Sequence, residues 1–227
     1  MLIGFLQCGH FPQPEGYAPR TYTDLYAKFL DGHGLEFRTW SVVDMEFPDS
    51  IRDADGWLIT GSRHGAYEDL PFIPPLEDFI RKAYAEGVPL VGVCFGHQII
   101  AQALGGKVNK YPDGWSVGRT EYDFGGETLA LNAWHQDQVI EAPAEAETIA
   151  STDFCRHAAF RYKGLAMSVQ PHPEFDRDEV DLLLTACAPG LVADDRIADA
   201  KKAIDQPVDQ VRLAEQVVKF FKEAHNG

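Results

Sequence analysis

Positive charge is scarce in this chain. Lys and Arg number 20 against 35 Asp and Glu, a formal net charge of −15 at pH 7. Nucleic acids and anionic membrane surfaces need basic patches, so neither is expected as a partner. Long apolar runs are missing as well, and no stretch could span a bilayer. Met1 to Leu6 is apolar but too short for a secretory signal, and it lacks the basic start of one. It reads as a first strand. Cysteine is sparse: Cys8, Cys94, Cys155 and Cys187 are scattered and show no framework spacing. They read as reduced thiols of a cytoplasmic protein. No Cys/His cluster has zinc-ligand spacing, and there is no glycine-rich phosphate loop. Neither metal nor cofactor is expected. No internal repeat or low-complexity tract is evident.

What is present is apolar content, 45% of 227 residues. That suits one large α/β domain, or a domain with a small extension. The most informative segment runs from Leu90 to Ala101, Leu-Val-Gly-Val-Cys-Phe-Gly-His-Gln-Ile-Ile-Ala. A short apolar run reads as a buried strand, and an amphipathic helix follows at once. Between them sits Cys94, flanked by Gly92 and Gly96. A residue on so sharp a strand-to-helix turn is pushed out of the sheet, and the two glycines remove side chains that would clash there. The sulfur then lies at a helix N-terminus, where the backbone N–H groups favour thiolate over thiol. This is a nucleophile elbow carrying cysteine.

A nucleophilic cysteine needs a base, and the base needs a group to orient it. Late in the chain, Leu165 to Val169 reads as a strand leading into Gln170-Pro171-His172-Pro173-Glu174-Phe175. Residues i and i+2 of an extended chain point to the same side. Pro173 fixes its own φ and biases His172 toward extended geometry. Glu174 can therefore reach the imidazole and hold one tautomer, which leaves the other nitrogen for Cys94.

At these two segments the chain resembles the class I glutamine amidotransferases, whose signature is Gly-x-Cys-x-Gly-x-Gln with a late His-Pro-Glu. The resemblance covers roughly Met1 to Phe175. It implies a flavodoxin-like α/β fold. It also implies that Cys94 attacks a side-chain amide to form a γ-glutamyl thioester, with His172 as base and acid and Glu174 as the orienting carboxylate. The chain order Cys, His, Glu argues against an α/β-hydrolase, where the acid precedes the histidine.

The rest of the pattern fits a largely parallel sheet with helices on both faces. Strands are expected at Leu2–Cys8, Glu36–Trp40 and Gly56–Thr60. Helices are expected near Tyr22–Asp31 and Leu76–Glu86. Gly125-Gly126 reads as a hairpin turn between Thr120–Phe124 and Glu127–Leu131. Short alternating runs from Lys107 to about Tyr162 suggest antiparallel strands. After Phe175 the chain is helical in character, with an acidic, weakly patterned stretch from Ala188 to Pro207. The expected division is a catalytic domain at 1–180 and a helical extension at 181–227 packed on it.

A tetrahedral oxyanion needs backbone donors. Phe95 N–H should be one; the second should be the N–H of Gly61 or Ser62, after the strand ending at Thr60. In most of the family this loop reads Gly-Gly-Pro. Here it reads Gly61-Ser62-Arg63-His64-Gly65, which resembles the branch that includes plant γ-glutamyl peptidases and stand-alone bacterial amidotransferase-like proteins. In the family, the glutamine at the position of Gln98 lines the substrate pocket. Trp134-His135-Gln136-Asp137-Gln138-Val139 resembles the stretch bordering the glutamine site, where His135 is either a supporting residue or a core histidine. His10, His64, His97 and His157 read as packing or surface residues.

The expected activity is hydrolysis of a small-molecule γ-glutamyl amide, either glutamine or a γ-glutamyl conjugate. No synthetase domain is evident in the sequence, so free glutamine as substrate would make the chain either an ammonia-supplying subunit of a separate synthetase or a stand-alone glutaminase. A reading of another class is a catalytically silent regulatory or binding domain; it would show no selective reactivity at Cys94.

Overall fold

The computed structural model describes residues 1–226. In chain order its elements are β1 (Leu2–Leu6), α1 (Tyr22–Phe29), β2 (Glu36–Trp40), β3 (Gly56–Ile59), α2 (Ile73–Ala85), β4 (Leu90–Val93) and α3 (Phe95–Ala103). Then follow β5 (Lys107–Lys110), β6 (Ser116–Asp123), β7 (Thr128–His135), β8 (Asp137–Glu141), β9 (Ala146–Ala150), β10 (Ala159–Tyr162) and β11 (Ala166–Val169). The last helices are α4 (Arg177–Leu182), α5 (Asp194–Lys202) and α6 (Gln210–Asn226).

Seven strands form the main sheet in the order β2-β1-β3-β4-β11-β10-β9. The first five are mutually parallel; at one edge β10 pairs antiparallel with β11, and β9 pairs antiparallel with β10. The sequence dictates this ranking. β3, β4 and β11 are buried at every position and, apart from Ser168, apolar, as strands covered on both faces must be. β2 carries Glu36 and Arg38 and is buried only at Trp40, which suits an edge.

Successive side chains alternate between faces, and two cores result. Phe5, Leu58, Val91, Val93 and Val169 pack with Tyr26 of α1 and with Leu213, Val217 and Phe221 of α6. Leu6, Trp57, Ile59 and Leu90 pack with Leu76 and Ile80 of α2 and Ile99 and Ile100 of α3. Each such side chain contributes about 1.5–3 kcal/mol on leaving water. The sheet with helices on both faces is thus the α/β fold expected from the sequence.

Some boundaries differ from the sequence reading. β1 ends at Leu6 rather than Cys8, although Gln7 N–H still donates to Trp40 O at 2.9 Å. α2 begins at Ile73, with Pro74 and Pro75 in its first turn, where a missing N–H costs nothing. The hairpin is longer than expected, and its turn uses positive φ at Gly125 (74°) and Gly126 (111°). α5 lies within the stretch that looked unpatterned. It buries only Ala200, which meets β6 where Gly118 (φ 75°) leaves room; a Cβ there would stand 2.7 Å from Ala200 Cβ. The start of α6 is clamped to β7, with Asp209 N–H donating to Ala130 O (2.7 Å) and Ala130 N–H donating to Asp209 Oδ2 (2.8 Å). Among the described residues, no helix is long and apolar enough to cross a membrane.

Candidate active site

The carboxyl ends of β3, β4 and β11 meet at one point, and Cys94 occupies it. Its backbone has φ 53° and ψ −103°, a conformation that non-glycine residues rarely adopt. Cys94 N–H donates to Val169 O at 2.9 Å, and Cys94 O accepts the Gln98 N–H at 3.1 Å. The turn is therefore bonded both to β11 and to the first turn of α3. The flanking glycines are required by contact with backbone. A Cβ on Gly92 would lie 2.4 Å from Gly96 O, and one on Gly96 would lie 2.1 Å from Ile59 O. Cys94 is buried, 5% exposed, and its sulfur faces the Trp134 carbonyl oxygen at 3.9 Å.

His172 arrives from β11. Its N–H donates to Asn132 O at 2.8 Å, and the Asn132 side chain donates to Phe175 O at 2.9 Å. The imidazole stacks on Phe175 with ring centroids 4.1 Å apart and planes 4° apart. Its Nδ1 lies 2.7 Å from Glu174 Oε1. An ionised carboxylate can only accept, so Nδ1 is the donor and Nε2 is left for Cys94. Burial alone would depress the basicity of His172, but Glu174 and Cys94 overcome it by charge and hydrogen bonding. The imidazolium is held up to about pH 10. His172 and Glu174 are 1% and 4% exposed, so little water screens this pairing.

The loop after β3 places Gly61 against His172: a Cβ on Gly61 would stand 2.8 Å from His172 Cε1. Gly61 N–H is already engaged, donating to the Tyr26 hydroxyl at 3.2 Å. Of the two donors expected here, Ser62 N–H is the one with no acceptor among the described residues. Phe95 N–H, at the head of α3, likewise has none.

Gln98 is buried rather than solvated. Its Nε2 donates to Asp137 O (2.9 Å) and to Gln170 Oε1 (3.1 Å), so it fixes the turn after His135. Trp134 is half-buried, and its ring packs 5.6 Å from that of Trp115. His135 is buried; its Nδ1 donates to Asp137 O at 3.3 Å, while Nε2 has no partner among the described residues. Burial pushes it down to about 3, so it stays neutral. His97 is a core residue between Ser168 Oγ (2.8 Å) and His157 O (3.0 Å). Burial pushes it down to about 3 as well. His10 and His64 pair with Asp44 and Glu68, and His157 with Thr148.

Two participants escaped the sequence reading. Gln170 carries a signal in retrospect: it is a polar residue directly after the buried strand β11. Tyr26 carries none, because with Tyr22 and Leu25 it simply continues the buried face of α1.

Residues 34–185 match the family model described as glutamine amidotransferase class I. The chain belongs to the class I glutamine amidotransferase family. A glutamine amidotransferase-like protein of Schizosaccharomyces pombe is 32% identical over 89% of this chain and 91% of its own length. Gamma-glutamyl peptidase 4 of Arabidopsis thaliana is 29% identical over 88% of this chain and 86% of its own. The glutamine-hydrolyzing GMP synthase of Vibrio campbellii is 31% identical over 86% of this chain, which matches only 38% of that longer protein. The fold is similar to that of a glutamine amidotransferase from Methylobacillus flagellatus (TM-score 0.72, 23% identity, 98% of this chain and 94% of the other).

Proposed function

We propose that this amidotransferase-family chain hydrolyses a γ-glutamyl amide through a γ-glutamyl thioester on Cys94. The observation that carries the reading is the 2.7 Å Nδ1–Oε1 contact of His172 with Glu174, which leaves Nε2 for a cysteine held in a strained elbow. The Cys94 thiolate attacks the amide carbon. Phe95 N–H and Ser62 N–H receive the oxyanion, each such donor being worth about 2.7–4 kcal/mol. His172 then protonates the leaving amine, so the C–N bond breaks and the thioester remains. His172 next takes a proton from water as the water attacks the thioester, and the γ-carboxylate leaves with Cys94 restored. Glu174 keeps the tautomer and stabilises the imidazolium. Gln98 fixes the turn at Asp137 that follows Trp134 and His135.

The preferred substrate is a γ-glutamyl conjugate rather than free glutamine. Two observations support this: the Gly61-Ser62-Arg63 loop departs from the usual Gly-Gly-Pro, and the chain is similar over most of its length to an Arabidopsis γ-glutamyl peptidase. The alternative is ammonia donation to a separate synthetase subunit, favoured by the similarity to part of a GMP synthase. Steady-state kcat/KM of the purified chain on glutamine and on a γ-glutamyl dipeptide decides between them. A clear preference for glutamine, or activity only when a synthetase is added, selects the alternative.

A further inference from the structure

Tyr26 is fully buried and rigidly held. α1 is fixed at its start by a reciprocal Thr21–Asp24 cap, and the Tyr26 ring sits 6.1 Å from Phe5 and 6.4 Å from Tyr22. Its hydroxyl oxygen accepts the Gly61 N–H at 3.2 Å. The hydroxyl proton still needs an acceptor, because a buried donor left unpaired costs about 1–3 kcal/mol. Glu174 spends Oε1 on His172, and its Oε2 is buried with no partner among the described residues. One buried donor lacks an acceptor and one buried acceptor lacks a donor.

We propose that Tyr26 is a positioning residue of the catalytic site: it accepts the Gly61 N–H and donates its own proton to Glu174 Oε2. One hydroxyl then ties the carboxylate that orients His172 to the loop that presents Ser62 N–H. The inference rests on the catalytic reading above. Burial first, and then the charge of Glu174, holds the Tyr26 phenol well above its ordinary range. It therefore remains a donor at any working pH. The other titratable groups around this cluster are Tyr22 on α1, Cys94 at the head of α3 and His135 at the end of β7, with Cys8 and Cys187 acting on Tyr22.

The test follows the rate of Cys94 alkylation by iodoacetamide against pH, located by peptide mass spectrometry. It needs no γ-glutamyl substrate, so it stands even if the substrate reading fails. The wild type is compared with Tyr26→Phe, Glu174→Gln and the double variant, with melting temperatures alongside. A buried carboxylate stripped of a donor gains a proton more readily. Tyr26→Phe should therefore move the acid limb of the profile up by about one pH unit. In the Glu174→Gln background it should add nothing, since the two act through one bond. Where a γ-glutamyl substrate is turned over, kcat should fall about tenfold with KM nearly unchanged. If Tyr26→Phe fails to fold, 3-fluorotyrosine at position 26, a stronger donor, should move the limb down instead. A Tyr26→Phe profile superimposable on wild type overturns the assignment. So does a shift that persists undiminished without Glu174, or an unmoved limb in the fluorinated protein.

Discussion

Gly96 lies against the carbonyl of Ile59, so close that a Cβ on it would stand 2.1 Å from that oxygen. This contact seats the N-terminus of α3 on the end of β3 and sets Cys94 above the sheet. The obstruction is backbone, which cannot rotate out of the way as a side chain could. Gly96→Ala should therefore lower stability by at least the roughly 1–3 kcal/mol of ordinary overpacking. It should also abolish selective alkylation of Cys94. Urea midpoints and labelling rates measure the two effects, and a fully reactive, fully stable variant would contradict this geometry.

The two partners of Cys94 should carry unequal weight. His172→Ala removes the proton carrier and should cost at least the ~10²–10⁴-fold typical of general acid–base catalysis. Glu174→Gln keeps the proton carrier but disturbs orientation and imidazolium charge, and should cost less. Single-turnover rates with a γ-glutamyl amide read both. Retained activity in His172→Ala beside a dead Glu174→Gln would reverse the roles.

Stability should peak near neutrality for reasons tied to named histidines. His97 and His135 are buried and depressed to about 3, below the ~6.5 of an unfolded histidine. The unfolded chain binds more protons as pH falls from about 6.5 toward 3, so stability is lost across that window, by up to about 1.4 kcal/mol per pH unit for each group. His172 has the opposite sign. Its folded value is raised to about 10, so its contribution is fully present below about 6.5 and lost as pH rises toward 10. Urea unfolding against pH should show both slopes. His97→Gln should flatten only the acid side; a change on the alkaline side alone would contradict the assignment.

The sequence reveals the elbow because its requirements are local: two glycines, one cysteine and a change of hydrophobic period within a dozen residues. His172 and Glu174 are legible for the same reason, with Pro173 fixing an extended path between them. α5 is not, because it buries only Ala200 and leaves no apolar stripe to read. The start of α2 is obscured by prolines that mark a loop as readily as a first turn. The engagement of Gly61 N–H is invisible in sequence, since its partner Tyr26 lies 35 residues away on another element. The bonds that Gln98 makes to Asp137 and Gln170 are equally long-range. In each case the missing information is a tertiary contact.

The central claim is that Cys94 carries the acyl group, and trapping that group tests it most directly. The protein is mixed with a γ-glutamyl amide, quenched in acid within a turnover and digested for peptide mass spectrometry. A glutamyl adduct on the Cys94 peptide, absent in Cys94→Ala and accumulating in a variant slow to deacylate, is the predicted result. An adduct on Cys8, Cys155 or Cys187, or turnover that survives Cys94→Ala, would contradict it.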